Sequence, residues 1–361
     1  MAIISNLTQQ VLKNCDIADA QHAGFYSLCG LVLRLRDLYK WEKKLKPWQE
    51  DGVAEVSEWI DRKETCWESL VDTQFEKLTF NQKNFDPLDA EGLNAHLNPL
   101  GICYGSGYAH FLKPTFFLAE ITAKKIINDT PVYILGHEYA RDLFTTPALT
   151  QNGQIFVRLA AARFWLWDQI SYVKQSGRAP MQFALASYGI TDINSAQMRR
   201  TFETIAAAET TTYLYHELGE LADTYFDRDI WRAIIAAFPH SPIEMLARAI
   251  KDVLADTHPG GTLAHLIKNR KSASLGFYIA FRESFTQKLF PALGKAFESF
   301  MVHGDWQHIE EARQRGFKQA HEQAKKLVSI FLEGQKQSDL KHTRRTIDTQ
   351  ILAPIGLGTK P

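Results

Sequence analysis

Apolar positions recur at three- and four-residue spacing along most of this chain, the periodicity of a helix with one buried face. Residues 22–46 carry Phe25, Leu28, Cys29, Val32, Leu35, Leu38 and Trp41 in that pattern. Lys43, Lys44 and Lys46 follow where cations suit a helix C-terminus, and Pro47 ends the run. Residues 52–78 continue it with Val56, Trp59, Trp67, Leu70 and Phe75. Thr115–Ile127 reads as a further helix, and Pro131–Leu135 (PVYIL) fits a short strand or the start of a helix. Gln154–Tyr172 places Phe156, Leu159, Ala160, Phe164 and Trp167 on one helical face. Beyond 195 the pattern is almost continuously helical, over 196–226, 229–237, 241–256, 261–270, 273–298 and 306–333.

Two stretches break this rhythm. Residues 81–114 hold Pro87, Pro99, Gly101, Gly105, Gly107 and Pro114, which predicts turns and irregular backbone. Residues 176–195, with Gly177, Pro180, Gly189 and Asn194, mark a boundary. The organisation read from these breaks is a helical N-terminal part (1–180) with an irregular middle, a helical bundle-like C-terminal part (190–335), and a loose tail (336–361). The fold class is therefore mainly α, with at most a small β element. Helix starts are legible at Ser241-Pro242-Ile243-Glu244, a capping box with proline at the first helical position, and at Asp305, an N-cap before Trp306.

Composition narrows the function classes. The formal net charge is +0, which speaks against a nucleic-acid partner, since phosphates call for a basic surplus. No run approaches the length of a membrane span, and the N-terminus lacks the basic and apolar regions of a signal peptide, so a soluble cytoplasmic protein without a membrane partner is expected. A homo-oligomer is compatible with this reading. The four cysteines, Cys15, Cys29, Cys66 and Cys103, have no zinc-ribbon spacing, and reduced thiols are expected.

Candidate chemistry concentrates in TFETIAAAETTTYLYHELGELADTYFD, residues 201–227. On a helix, Glu209, Tyr213, His216, Glu220 and Asp223 fall within about 40° of one line. Asp227 extends it if the helix continues. The segment has no lysine or arginine, and like charges four residues apart repel. A cation would relieve that repulsion, so Glu209, His216, Glu220 and Asp223 are candidate ligands of a divalent metal ion, iron, manganese or zinc. Acids and histidines projecting from facing helices build such centres in helical bundles. Arginines such as Arg163, Arg232, Arg248 or Arg282 would neutralise the stripe equally well. His216-Glu217-Leu218-Gly219-Glu220 is similar to the HExxH helix of zinc metallopeptidases, with Glu220 where that motif has its second histidine. Glu217 lies about 80° off the stripe at helical spacing and is the candidate catalytic base.

Other groups carry weaker signals. Gly136-His137-Glu138 follows the candidate strand, with Glu138 and Arg141 spaced to pair on the surface. His258 and His265 flank Pro259-Gly260-Gly261, while Asp252 and Asp256 stand near enough in sequence to complete a ligand set. Gly101–Gly107 lacks the ending of a phosphate loop and reads as a tight turn or a lid over a cavity. Two function classes remain open: a metal-dependent enzyme, redox or hydrolytic, and a non-enzymatic helical scaffold that binds a protein partner.

Overall fold

The computed structural model describes residues 2–109 and 112–358 and divides the chain into two compact units, residues 1–168 and 169–361.

The N-terminal unit corrects the mainly-α reading. Helices α1 (Ala2–His22), α2 (Leu28–Glu42), α3 (Val53–Glu68) and α4 (Ala90–Leu97) accompany a curled five-stranded sheet, a half-barrel. Its strands are β3 (Ile102–Tyr108), β4 (Pro114–Ile127), β5 (Thr130–Arg141), β6 (Ala148–Gln151) and β7 (Gln154–Arg158), in the order β3-β4-β5-β7-β6. A small hairpin, β1 (Leu78–Phe80) with β2 (Lys83–Phe85), precedes them. The pairs are antiparallel except β5 with β7. Register shifts between Leu118 and Ala123 bend β4, and such irregularities add twist and curl to a sheet.

The sequence does contain hairpin turns of this unit. Asn81-Gln82, Asn128-Asp129 and Asn152-Gly153 each occupy the left-handed region at both positions and close two-residue hairpins. Asparagine and glycine tolerate that conformation, and such pairs between apolar runs are the strongest local hairpin signal. Thr115–Ile127 is strand rather than helix. The first half of β4 is buried almost throughout, so the two-residue alternation that marks a half-exposed strand is lost there. Likewise Gln154–Arg158 is a buried strand that runs directly into α5 (Leu159–Ser171). In the glycine-rich stretch at 101–107 only Gly101 is a turn residue, in the left-handed region; the rest is β3, where a Cβ at Gly105 would collide with the Phe117 ring.

One face of the sheet packs Tyr104, Phe116, Leu118 and Ala140 against Leu7, Val11 and Cys15 of α1. The other gathers Cys103, Phe117, Ala119, Leu135 and Phe156. Lys113, almost wholly buried, donates to Asp19 Oδ1 and Asp142 Oδ2, each at 2.9 Å. Burial pushes the Asp19 carboxyl up to about 7 although Lys113 opposes it.

The C-terminal unit is helical: α6 (Arg178–Ala186), α7 (Ala196–Ala222), α8 (Arg228–Ala237), α9 (Pro242–Thr257), α10 (Thr262–Lys268), α11 (Ser272–Phe281), α12 (Ser284–Leu289), α13 (Pro291–His303), α14 (Trp306–Gln337) and α15 (Leu340–Ile347). The starts of α9 and α14 are as the sequence indicates. Ser241 Oγ accepts from Glu244 N–H, Glu244 returns to His240 N–H, and Asp305 accepts from Gln307 N–H. Residues 340–355 are helical rather than a loose tail, with Ile347, Ile351 and Leu352 in the core. That core runs through Leu246, Ile250, Leu254, Leu275, Phe290, Phe297, Leu327 and Phe331.

No helix among the described residues is long and apolar enough to cross a membrane.

Candidate functional site

The stripe on α7 begins from a close helix crossing. A Cβ at Gly219 would collide with the carbonyl oxygen of Ala255 on α9, and one at Gly261 would collide with the same atom. Two glycines therefore let α7, α9 and the turn before α10 approach through backbone. The crossing lies one turn beyond His216 and beside Glu220, which fixes what those side chains meet.

His216 Nδ1 lies 2.9 Å from Asp256 Oδ1. Asp256 also accepts from Thr262 Oγ1 at 2.7 Å and from the Tyr278 hydroxyl at 2.8 Å. Four elements, α7, α9, α10 and α11, thus lock one imidazole–carboxylate pair. His216 Nε2 makes no hydrogen bond among the described residues, and the ring is 28% exposed. Burial disfavours its charge, but Asp256, helped by Glu217 and Asp252, holds its pKa well above the ordinary value. Asp256 is correspondingly lowered: burial works against the carboxylate, and His216, Thr262 and Tyr278 outweigh it. One turn back on α9, the half-buried Asp252 makes no hydrogen bond among the described residues. Burial pushes its carboxyl up to about 7, with His216 opposing and Asp256, Glu220 and Glu283 adding to the shift.

The remaining stripe residues do not join this group. Glu209, 2% exposed, accepts from Ser274 Oγ at 2.6 Å and Thr212 Oγ1 at 3.0 Å, and burial pushes it up to about 7. Glu220 pairs with Lys251 of α9. Asp223 stands just past the end of α7 and accepts from Tyr225 N–H at 3.1 Å. Asp227 caps α8 instead of extending the line. Glu217 is buried, at 8% exposure, and its charge helps raise the pKa of His216.

Among the described residues no three His, Cys, Asp or Glu side chains come together as a group that could hold a metal ion, so no grouping there supports the metal reading. Helical spacing aligned the four groups correctly along α7, but successive turns of one helix meet different neighbours. Lysines supply positive charge to the stripe. Lys251 serves Glu220, while Lys271 donates to Thr211 at 2.6 Å and acts on Glu209. Arg248 pairs within its own helix with Glu244, and Arg282 is spent on the carbonyls of Thr286 and Phe290. His303 and His308 are exposed on the surface. What sequence reasoning missed is the role of Asp256, Thr262 and Tyr278. Only the i, i+4 spacing of Asp252 and Asp256 hinted at a shared helix face.

Two adjoining family models match the chain, the N-terminal domain over residues 6–158 and the C-terminal domain over residues 163–350. The chain belongs to the family of unknown function DUF6866. The His216–Asp256 pair, Asp252 and the glycine crossing all lie within the part matched by that family's C-terminal domain. No curated protein and no solved structure matches the chain.

Proposed function

We propose that the C-terminal unit carries an acid–base site, making this an enzyme of proton-transfer chemistry, with hydrolysis of a small polar substrate as the leading reaction class. The observation that carries the reading is His216 tethered through Nδ1 to a triply bonded Asp256 while Nε2 stays without a partner at a partly exposed position. A carboxylate on one ring nitrogen fixes the orientation of the ring and stabilises its charged form. At neutral pH the imidazole is then a positioned cation, suited to donating a proton or holding a developing anion. Asp252, titrating near 7, is half protonated under the same conditions and is the better proton acceptor.

The site can be tested without knowing the substrate. Nitrogen-15 NMR of the ring should find His216 protonated through neutral pH, and Asp256→Asn should bring its titration back toward the ordinary histidine range. In a panel of activated esters, amides and phosphomonoesters, any turnover should fall as the pH drops, with a midpoint near pH 7 where the Asp252 carboxylate takes up its proton, and vanish in Asp252→Asn and His216→Gln. A His216 ring that already titrates normally, or turnover that survives both substitutions, overturns the proposal.

The scaffold alternative has one observation in its favour: Glu209 and Glu220 are both committed to neighbouring helices, as in a stripe that serves packing. A scaffold would tolerate Asp252→Asn and His216→Gln with no change beyond stability.

A further inference from the structure

The N-terminal unit contains a second buried charged group, unrelated to the α7 site. Arg141 and Arg158 are the largest of its fully buried side chains, each 1% exposed, and Glu138 is equally buried. Strand register gathers them. Arg141 stands opposite Phe117, Glu138 opposite Ala119, and Arg158 at the end of β7 opposite Leu135. Glu138 therefore does not pair with Arg141 on the surface. Its Oε1 accepts from Arg158 Nε at 2.7 Å inside the fold.

The arginines are held by their faces. The Arg158 guanidinium lies 4.4 Å from the Phe117 ring centroid, and that of Arg141 lies 5.9 Å from Trp41 and 5.7 Å from Phe164. Their edges are incompletely used. Arg141 donates from Nε to the Asp142 carbonyl at 3.3 Å and from Nη2 to Thr145 Oγ1 at 2.7 Å, both neutral acceptors. Arg141 Nη1, Arg158 Nη2 and Glu138 Oε2 have no hydrogen-bond partner among the described residues. Arginine stays charged at any ordinary pH. Arg158 has Glu138 as its ion-pair partner, while Glu138, Asp37 and Asp142 act on Arg141 through charge without giving its Nη1 an acceptor. An unpaired buried N–H forfeits its hydration, at greater cost when charged, and aromatic faces compensate the charge without satisfying the N–H edges. Those edges are the geometry with which arginine takes a carboxylate or phosphate.

We propose that this end of the sheet binds a small molecule bearing an oxyanion beside a hydroxyl or amino group. Arg141 Nη1 and Arg158 Nη2 take the carboxylate or phosphate oxygens, and Glu138 Oε2 accepts from the adjacent donor. The aromatic rings hold both guanidinium groups ready, so little side-chain freedom is lost on binding. Because the three groups are sealed from solvent, exchange requires local opening and is slow.

Glycolate and acetate differ by the hydroxyl that Glu138 would read, and they serve as probes, together with inorganic phosphate. After long incubation with the full chain, glycolate and phosphate should raise the melting temperature above a chloride control of equal ionic strength. Glycolate should bind roughly tenfold tighter than acetate, the effect of one charge-assisted hydrogen bond. Glu138→Gln should abolish that preference while keeping acetate binding. Arg158→Lys, which keeps the charge but loses the fork, should weaken both, and Arg141→Met should remove both. If Arg141→Met does not fold, Glu138→Gln and Arg158→Lys decide the matter. No stabilisation beyond chloride, an unchanged glycolate preference in Glu138→Gln, or wild-type affinity in Arg158→Lys would each overturn the site.

Discussion

Replacing Glu209 with glutamine should stabilise the C-terminal unit at alkaline pH and leave it nearly unchanged in acid. Glu209 is 2% exposed and its carboxyl is pushed by burial from an ordinary 4.5 to about 7, against the opposing bonds from Ser274 and Thr212 and the charge of Lys271. A carboxyl raised in the folded state contributes stability that is complete below its unfolded pKa and disappears as pH rises through its folded pKa. The window here is about pH 4.5 to 7. A shift of that size corresponds to about 3 kcal/mol lost across the window, at about 1.4 kcal/mol per pH unit. Glutamine cannot ionise, yet its oxygen can accept from Ser274 and its amide can donate to the Thr212 hydroxyl. In acid, where wild-type Glu209 is also neutral, the two chains should differ by less than about 1 kcal/mol. Above pH 8 the variant should be ahead by about 3 kcal/mol, or roughly 6–12 °C in the melting of a unit this size. Calorimetry of both proteins at several pH values between 5 and 8.5 measures the difference. A gap that does not change with pH, or a variant less stable than wild type at pH 8.5, would refute the claim that Glu209 carries a burial penalty when charged.

Two further substitutions test the packing. Gly219→Ala normally gains about 1 kcal/mol in a helix interior, but here the methyl meets the Ala255 carbonyl. Overpacking of about 1–3 kcal/mol should therefore win, seen as a lower urea midpoint together with a displaced His216 ring resonance. Lys113→Met leaves Asp19 and Asp142 buried without their cation and should cost about 3–5 kcal/mol at pH 8. The cost should shrink toward pH 5 as the carboxyls protonate, because removing Lys113 raises their pKa values further. A loss equal at both pH values, by urea denaturation, would show that the triad is not held by charge.

The sequence alone determined α7 to α10 and α14 of the C-terminal unit, the starts of α9 and α14, and the alignment of Glu209, His216 and Glu220 along α7; it did not mark α6 or α15, and it ran α11, α12 and α13 together as one helix over 273–298. Each feature so determined depends on neighbours within a turn or two of the chain. Helical periodicity and capping are local, so they are written in adjacent residues. The sheet was only half legible: its asparagine turns stand in the text of the sequence, but burial on both faces erased the alternation of β4 and β7. Tertiary structure alone decided what each acidic group faces. Asp256 reaches His216 from 40 residues away, Ser274 reaches Glu209 from 65, and Arg158 reaches Glu138 across a parallel strand pair. A residue's angle on its own helix says which groups share a line. Whether that line meets solvent, a lysine or a buried hydroxyl depends on which other helix crosses it, and no local pattern encodes that crossing.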